Sequence, residues 1–223
     1  MKLYMHPVST TSRPVRLFIA DEGIACEQEV VDLMTGAHLQ PAYLAINPNG
    51  LVPYLVDGDF GLSESAAILR YLAEKTGSAA YPKDLRERAR VNEVMDWLNS
   101  NMYRDWGYNL IYPQIFPHHR RRSDEAQEAS VAMGQEKSRR WLSLLNDHYI
   151  GNRQWVAGDR MTIADYFAAG IMSVGDTIGC TLGDYPNVDR WLGTMRARPN
   201  WAPLHGHFDG MVAAFKGPSY RTI

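Results

Sequence analysis

Three stretches of the 223-residue chain carry side chains suited to handling a ligand. Ser63-Glu64-Ser65 stands where a strand gives way to a helix, and the unpaired backbone N–H groups and helix dipole at such a point favour an anion, so a ligand carboxylate fits there. The same residues also have a purely structural use, with Ser63 or Ser65 capping the helix and Glu64 complementing its dipole. Ser9-Thr10-Thr11-Ser12 crowds four hydroxyls into one loop ahead of Pro14, and each hydroxyl can cap a helix or donate a hydrogen bond. Tyr103 and Trp106, three residues apart, share a helix face, and Tyr112 and Phe116 follow where prolines interrupt that helix. Aromatic faces suit a hydrophobic, planar ligand, although core packing is the commoner use of any one of them.

The elements that must position these residues differ on either side of residue 80. Lys2 to Met5 reads as a strand, Pro14 to Glu22 as a helix with Gly23 at its C-terminal cap, and Gln28 to Val31 as a second strand. Pro53 to Val56 and Phe60 to Leu62 flank Asp57-Gly58-Asp59, a tight hairpin signal, and Ser65 to Lys75 is a helix stopped by Gly77. A strand, helix and strand end parallel and a hairpin is antiparallel, so the expected product is one mixed four-stranded sheet. Beyond Asp84 the strand signals vanish. Val91, Val94, Met95 and Leu98, and later Trp141, Leu144, Leu145 and Tyr149, recur at helical spacing, as in a bundle. Thr162-Ile-Ala-Asp165 is a capping box, and Pro186 opens a further helix that Arg198-Pro199 ends. The expected division is an α/β domain over 1–78, a linker over 79–85 and an all-α domain over 86–223.

Composition excludes several classes of function. Lys plus Arg number 23 against 25 Asp plus Glu, a formal net charge of -2, which argues against a nucleic-acid partner. The 45% hydrophobic content describes a folded globular chain. No run approaches the roughly 18 apolar residues of a membrane span. Cys26 and Cys180 stand far apart without metal-ligand spacing, so both are expected to be buried thiols in a reducing, cytoplasmic setting, and no metal site is expected. His118-His119-Arg120-Arg121-Arg122, followed at once by Asp124 and Glu125, reads as a solvated loop.

Asn47-Pro-Asn-Gly-Leu-Val-Pro53, then Leu62-Ser-Glu64-Ser65-Ala-Ala-Ile-Leu-Arg-Tyr-Leu72, preceded by Leu33-Met-Thr-Gly-Ala-His38-Leu39, resembles the cytosolic glutathione transferases over nearly the whole chain. Within them it is most similar to the theta and delta kind, a serine-using subgroup of bacterial type. The resemblance implies a thioredoxin-like first domain, a helical second domain, a homodimer with its site near the subunit boundary, and a part in detoxification. It also implies no permanently bound cofactor, with glutathione as co-substrate. Pro53 would be cis, turning Val52 so that its N–H and C=O hold the cysteinyl part of glutathione as an added strand would. Ser65 would take the γ-glutamyl carboxylate, Glu64 would face the free ammonium, and His38 would reach the glycyl carboxylate unless it is merely a solvated histidine. Gly50 lacks the polar side chain that theta and delta members often carry there.

The activating residue decides the chemistry. A free thiol with a pKa of about 8.5 is only about 3% thiolate at pH 7, and lowering it by roughly 2 units takes about 2.7 kcal/mol. A hydrogen bond to a charged group supplies roughly 1.5 to 3 kcal/mol and a helix N-terminus about 0.3 to 1, so one well-placed hydroxyl suffices. Ser12-Arg-Pro14-Val-Arg16 matches the family's Ser-x-Pro-Cys-Arg pattern, which names Ser12 as donor to the thiolate, with Ser9 as runner-up. Tyr103, Trp106 and Tyr112 would wall the pocket of a small apolar electrophile. The implied reaction is alkyl or aryl transfer to the glutathione sulfur. A glutathione-dependent redox protein would need a cysteine in residues 6–16, where none stands, and a non-catalytic glutathione-binding or scaffolding protein would share most of these residues.

Overall fold

The computed structural model describes residues 1–217 and 219–223. Four strands, β1 (Lys2–Met5), β2 (Glu27–Val30), β3 (Tyr54–Asp57) and β4 (Phe60–Leu62), form the expected mixed sheet in the order β2-β1-β3-β4. β1 runs parallel to β2 with Leu3 opposite Gln28, and antiparallel to β3 with Leu3 opposite Leu55. The two-residue period buries Leu3, Met5 and Leu55 on one face, while Lys2 on the other pairs with Glu27 and Glu29.

Helix α1 (Ser12–Asp21) covers the buried face with Val15, Leu17, Phe18 and Ile19. Its winding begins earlier than its first residue. The Ser9 carbonyl accepts the Arg13 N–H at 3.1 Å and the Ser9 Oγ accepts the Ser12 N–H at 3.2 Å, so Ser9 satisfies two donors that the helix start would otherwise orphan. A short turn over Ala37–Leu39 and the four-residue α2 (Pro41–Leu44) lead to β3, and α3 (Ser65–Thr76) returns over the sheet with Ile68, Leu69 and Leu72 fully buried.

Helix α4 (Leu85–Trp97) is capped by the Asp84 carboxylate, which accepts the Arg86 and Glu87 N–H groups at 3.0 Å each. It runs on through a π-wound stretch, Leu98–Ile111, into α5 (Tyr112–Ile115). The long α6 (Asp124–Leu144) packs against that stretch. Helix α7 (Ile163–Ser173) is buried along its whole length, α8 (Pro186–Arg196) packs against it, and α9 (Trp201–Ala214) packs against α8 and α1. The Thr162–Asp165 capping box forms as expected. Asp165 also accepts the Val156 N–H and the Trp191 Nε1–H, each at 3.0 Å, so one carboxylate joins the start of α7 to α8 and the preceding loop.

The two domains meet where α7 and α9 reach the start of α1. A Cβ on Gly170 would lie 2.8 Å from the Pro14 ring and 2.9 Å from the Thr10 carbonyl oxygen, so only glycine allows this approach. Arg13 is wholly buried in the contact. It donates to Ser173 Oγ at 2.8 Å and to the Gly170 carbonyl at 3.2 Å, and its guanidinium lies 3.6 Å from the centre of the Phe208 ring. Burial pushes its pKa down to about 10, which leaves it charged at neutral pH.

Two expectations need adjustment. Cys26 and Cys180 are free thiols as expected, but each is only half-buried. His119, expected in a solvated loop, packs instead between the rings of Tyr108 and Tyr112, at 5.5 and 5.2 Å. Among the described residues no helix is long and apolar enough to cross a membrane, and no cluster of His, Cys, Asp or Glu is arranged to hold a metal ion. Replacing Asp165 with Ala strips several buried donors of their acceptor at once. Thermal melts should show a loss of about 3 to 5 kcal/mol, a fall in Tm of roughly 6 to 15 °C.

Candidate active site

A cavity of about 300 Å³ opens between the domains. Its wall on the sheet side is built from the hydroxyl loop, the turn before β3 and the start of α3: Thr11, Asn47, Asn49, Val52, Pro53 and the run Ser63 to Ser65. The Val52–Pro53 peptide is cis. Asn47, almost wholly buried, holds this turn in shape, donating to the Leu51 carbonyl at 2.8 Å and accepting the Asn49 N–H at 3.2 Å. The Tyr43 hydroxyl reaches the same Leu51 carbonyl at 2.7 Å. Gly50 sits at φ 60°, a left-handed conformation that glycine adopts without steric cost.

Glu64 and Ser65 occupy the strand-to-helix junction as the sequence predicts. Ser65 is the first residue of α3 and is 5% exposed, while Glu64 is exposed and held at φ 67°, ψ 112°. A non-glycine residue in that region costs about 1 to 3 kcal/mol and persists where surrounding structure enforces it, characteristically at a ligand clamp. Here a carboxylate stands beside the N–H groups of a helix start, a pairing that suits a zwitterionic ligand carrying both an ammonium and a carboxylate.

At the mouth of α1 the structure separates hydroxyls that the sequence left together. Ser12 has no exposed surface, and its Oγ accepts the His6 N–H at 3.4 Å inside the domain. It therefore does not reach the cavity as expected, because the first full turn of α1 carries its side chain inward. Ser9 is half-buried, with its Oγ 3.2 Å from the Thr11 Oγ1. Thr11, on the cavity wall, donates to the Val52 carbonyl at 3.1 Å. Since that bond uses the Thr11 proton, the Ser9 hydroxyl is the donor between the two, and its own oxygen is polarised by the Ser12 N–H at the positive end of the helix.

The helical wall comes from the π-wound stretch, through Asn99, Tyr103, Arg104 and Tyr108. Hydrogen bonds closing from i to i+5 widen the turn, so residues four and five apart line one side. This moves Trp106, expected beside Tyr103, into the core, where it is fully buried and donates from Nε1 to the Ile171 carbonyl at 3.1 Å. Tyr112 is likewise off the wall, buried behind Tyr103. Tyr108, Asn99, Arg104 and Thr11 were missed by sequence reasoning, and only the winding of this stretch could have signalled the first three. Arg104 is held by both oxygens of Asp105 at 2.9 and 3.2 Å. Burial pushes the Asp105 carboxyl up, but donors from Arg104, Trp141 and Asn109 outweigh it and hold the pKa below the ordinary value. His38 is half-buried and off the cavity wall, its Nδ1 without a partner among the described residues.

This geometry agrees with the comparisons. The glutathione S-transferase N-terminal domain profile matches residues 3–80 and the C-terminal domain profile matches residues 108–199. The chain belongs to the glutathione S-transferase family. Human glutathione S-transferase theta-2B is 34% identical over 200 residues, covering 88% of this chain and 81% of that one. Glutathione S-transferase 2 of Anopheles gambiae is 32% identical over 200 residues, with 88% and 90% covered. Human glutathione transferase theta-2, solved with glutathione and an unknown ligand, superposes with a TM-score of 0.83 at 30% identity over 98% of this chain and 92% of that one. A delta-class transferase of Nilaparvata lugens gives 0.79 at 28% identity over 96% and 99%. This transferase thus has the thioredoxin-like sheet domain and helical partner domain of the family.

The two serines of the loop should separate by stability. Ser12→Ala leaves the buried His6 N–H without its acceptor and should cost about 1 to 3 kcal/mol in urea unfolding. Ser9→Ala removes a helix cap and should cost about 0.5 to 2 kcal/mol. A neutral Ser12→Ala would contradict the inward placement of its hydroxyl.

Proposed function

We propose that this glutathione transferase holds glutathione along the sheet-side wall of the cavity and delivers its thiolate to an apolar electrophile on the helical side. The γ-glutamyl carboxylate sits on Ser65 and the start of α3, with Glu64 facing the ammonium. The cysteinyl peptide runs along Val52 beside Pro53. The sulfur then lies at the mouth of α1, and Ser9, not Ser12, donates to it. Two observations support Ser9: its hydroxyl caps α1 and is only half-buried, its proton turned to Thr11 Oγ1 and free to rotate to a bound sulfur, whereas Ser12 is sealed inside. The family pattern Ser-x-Pro-Cys-Arg, read from Ser9, also ends on the fully buried Arg13, with Thr11 and Ser12 in place of Pro and Cys. His38 is not on the cavity wall and is left out of the ligand set.

The chemistry needs little more. The thiol gives its proton to solvent, the thiolate attacks the electrophilic carbon, and either a halide leaves or a double bond takes up the proton. Tyr103 and Tyr108, 5.1 Å apart in edge contact on the wall, offer aromatic faces to a planar apolar electrophile. No cofactor is held permanently, and glutathione is consumed as co-substrate. The working form is a cytoplasmic homodimer, with Leu51, 61% exposed at the cavity rim, among the apolar residues a second copy would cover.

The observation that carries this reading is the capping hydroxyl of Ser9, 3.2 Å from the Thr11 hydroxyl on the cavity wall, and the ultraviolet absorbance of bound thiolate tests it. In the parent protein the bound thiol should ionise well below its free value. Ser9→Ala should raise that pKa by about 1 to 2 units and cut kcat at neutral pH by about 10- to 100-fold, with parent and variant converging at high pH where the thiol ionises unaided. Ser12→Ala should leave it unchanged, and the reverse pattern would restore Ser12. Ser65→Ala should weaken glutathione binding by about tenfold with the fold intact, read by calorimetry. Binding without turnover of a chlorinated aromatic compound would favour the non-catalytic glutathione-binding reading.

A further inference from the structure

Behind the cavity wall a chain of hydroxyls crosses the domain boundary. Tyr103 Oη lies 2.7 Å from Tyr112 Oη, and Tyr112 donates to Thr10 Oγ1 at 2.8 Å. Thr10 stands between Ser9 and Thr11, the two residues whose hydroxyls meet at the mouth of α1. A phenol has one proton, and Tyr112 spends it on Thr10, so Tyr112 accepts from Tyr103. Every donor in the chain therefore points from the helical domain toward the loop.

All three residues are at most 7% exposed, so water does not replace these bonds. Burial pushes Tyr112 up to about 12 and Tyr103 well above the ordinary phenol value, so both stay protonated wherever the enzyme works and act by position, not by proton transfer. Thr10 is gripped from a second side, with the α7 backbone at Gly170 packed against its carbonyl. A β-branched side chain held at its hydroxyl and its carbonyl has little rotational freedom left, and the residues on either side inherit that direction.

We propose that Tyr112 is a positioning residue for thiolate formation: its hydrogen bond to Thr10 ties the Ser9–Ser12 loop to the helical domain and so aims the Ser9 hydroxyl at the sulfur. Tyr112 touches neither ligand, since it lies off the cavity wall. This rests on Ser9 as the donor proposed above. Donor geometry matters because a displacement of about 1 Å at a reacting centre can cost as much as 100-fold.

Tyr112→Phe keeps the ring among its aromatic neighbours and removes only the hydroxyl, and Thr10→Val removes the acceptor at nearly constant shape. Each should raise the bound thiol pKa by about 0.5 to 1 unit and lower kcat near neutral pH by about 3- to 10-fold, with KM for glutathione within about twofold of the parent. The double variant should be no worse than either single one, as expected for two ends of one bond. Should Tyr112→Phe fold poorly, Thr10→Val gives the same readout from the other end. A parent with lowered thiol pKa and variants that match it, whatever their melting temperatures, would overturn the proposal alone. Additive losses in the double variant would do the same. A parent whose bound thiol ionises at the free value would overturn both this and the function proposed above.

Discussion

The start of helix α1 is the constraint on which the rest turns. A helix must find acceptors for its first N–H groups, and here a carbonyl and a hydroxyl of one residue, Ser9, provide two of them. That arrangement stabilises the sheet domain and also leaves a polarised hydroxyl in contact with Thr11, which lines the cavity. On the proposed function, structural economy and chemistry share that one side chain. The other end of the sheet-side wall repeats the device, with Ser65 at the start of α3 and Glu64 held at a positive φ beside it.

The helical domain is more than a wall for the second substrate. It meets the sheet domain at the same few residues that begin α1: Thr10 under the Tyr112 hydroxyl, Arg13 between Ser173 and the Phe208 ring, and Pro14 against Gly170. Among the described residues the buried Arg13 has no carboxylate in hydrogen-bonding contact, and its cost is offset by two oxygen acceptors and an aromatic face. Packing at the boundary and the geometry of the hydroxyl loop are therefore one mechanical problem.

Much of this was legible in the chain itself. Strand and helix periods, the Asp57-Gly58 hairpin and the Thr162–Asp165 box each report a local preference that tertiary packing left alone, so the mixed sheet, the bundle and their order could be read directly. Glu64 and Ser65 line the cavity where the strand-to-helix junction put them, and Val52 and Pro53 where the family motif implied.

The serine and the aromatic wall were another matter. Whether Ser9 or Ser12 is the buried serine depends on where the helix begins to wind, a shift of one turn that Pro14 does not settle alone and that contacts from Gly170 and Tyr112 hold in place. Trp106, expected on the wall, is in the core and Tyr108, not foreseen, is on the wall, in a long helix that is π-wound along Leu98–Ile111 where α6 packs against it. Sequence alone determined which residues could do chemistry and which elements would carry them. Direction belongs to the tertiary structure, because a side chain's outlook is set by the phase of its helix, and that phase is decided by what packs on the other side.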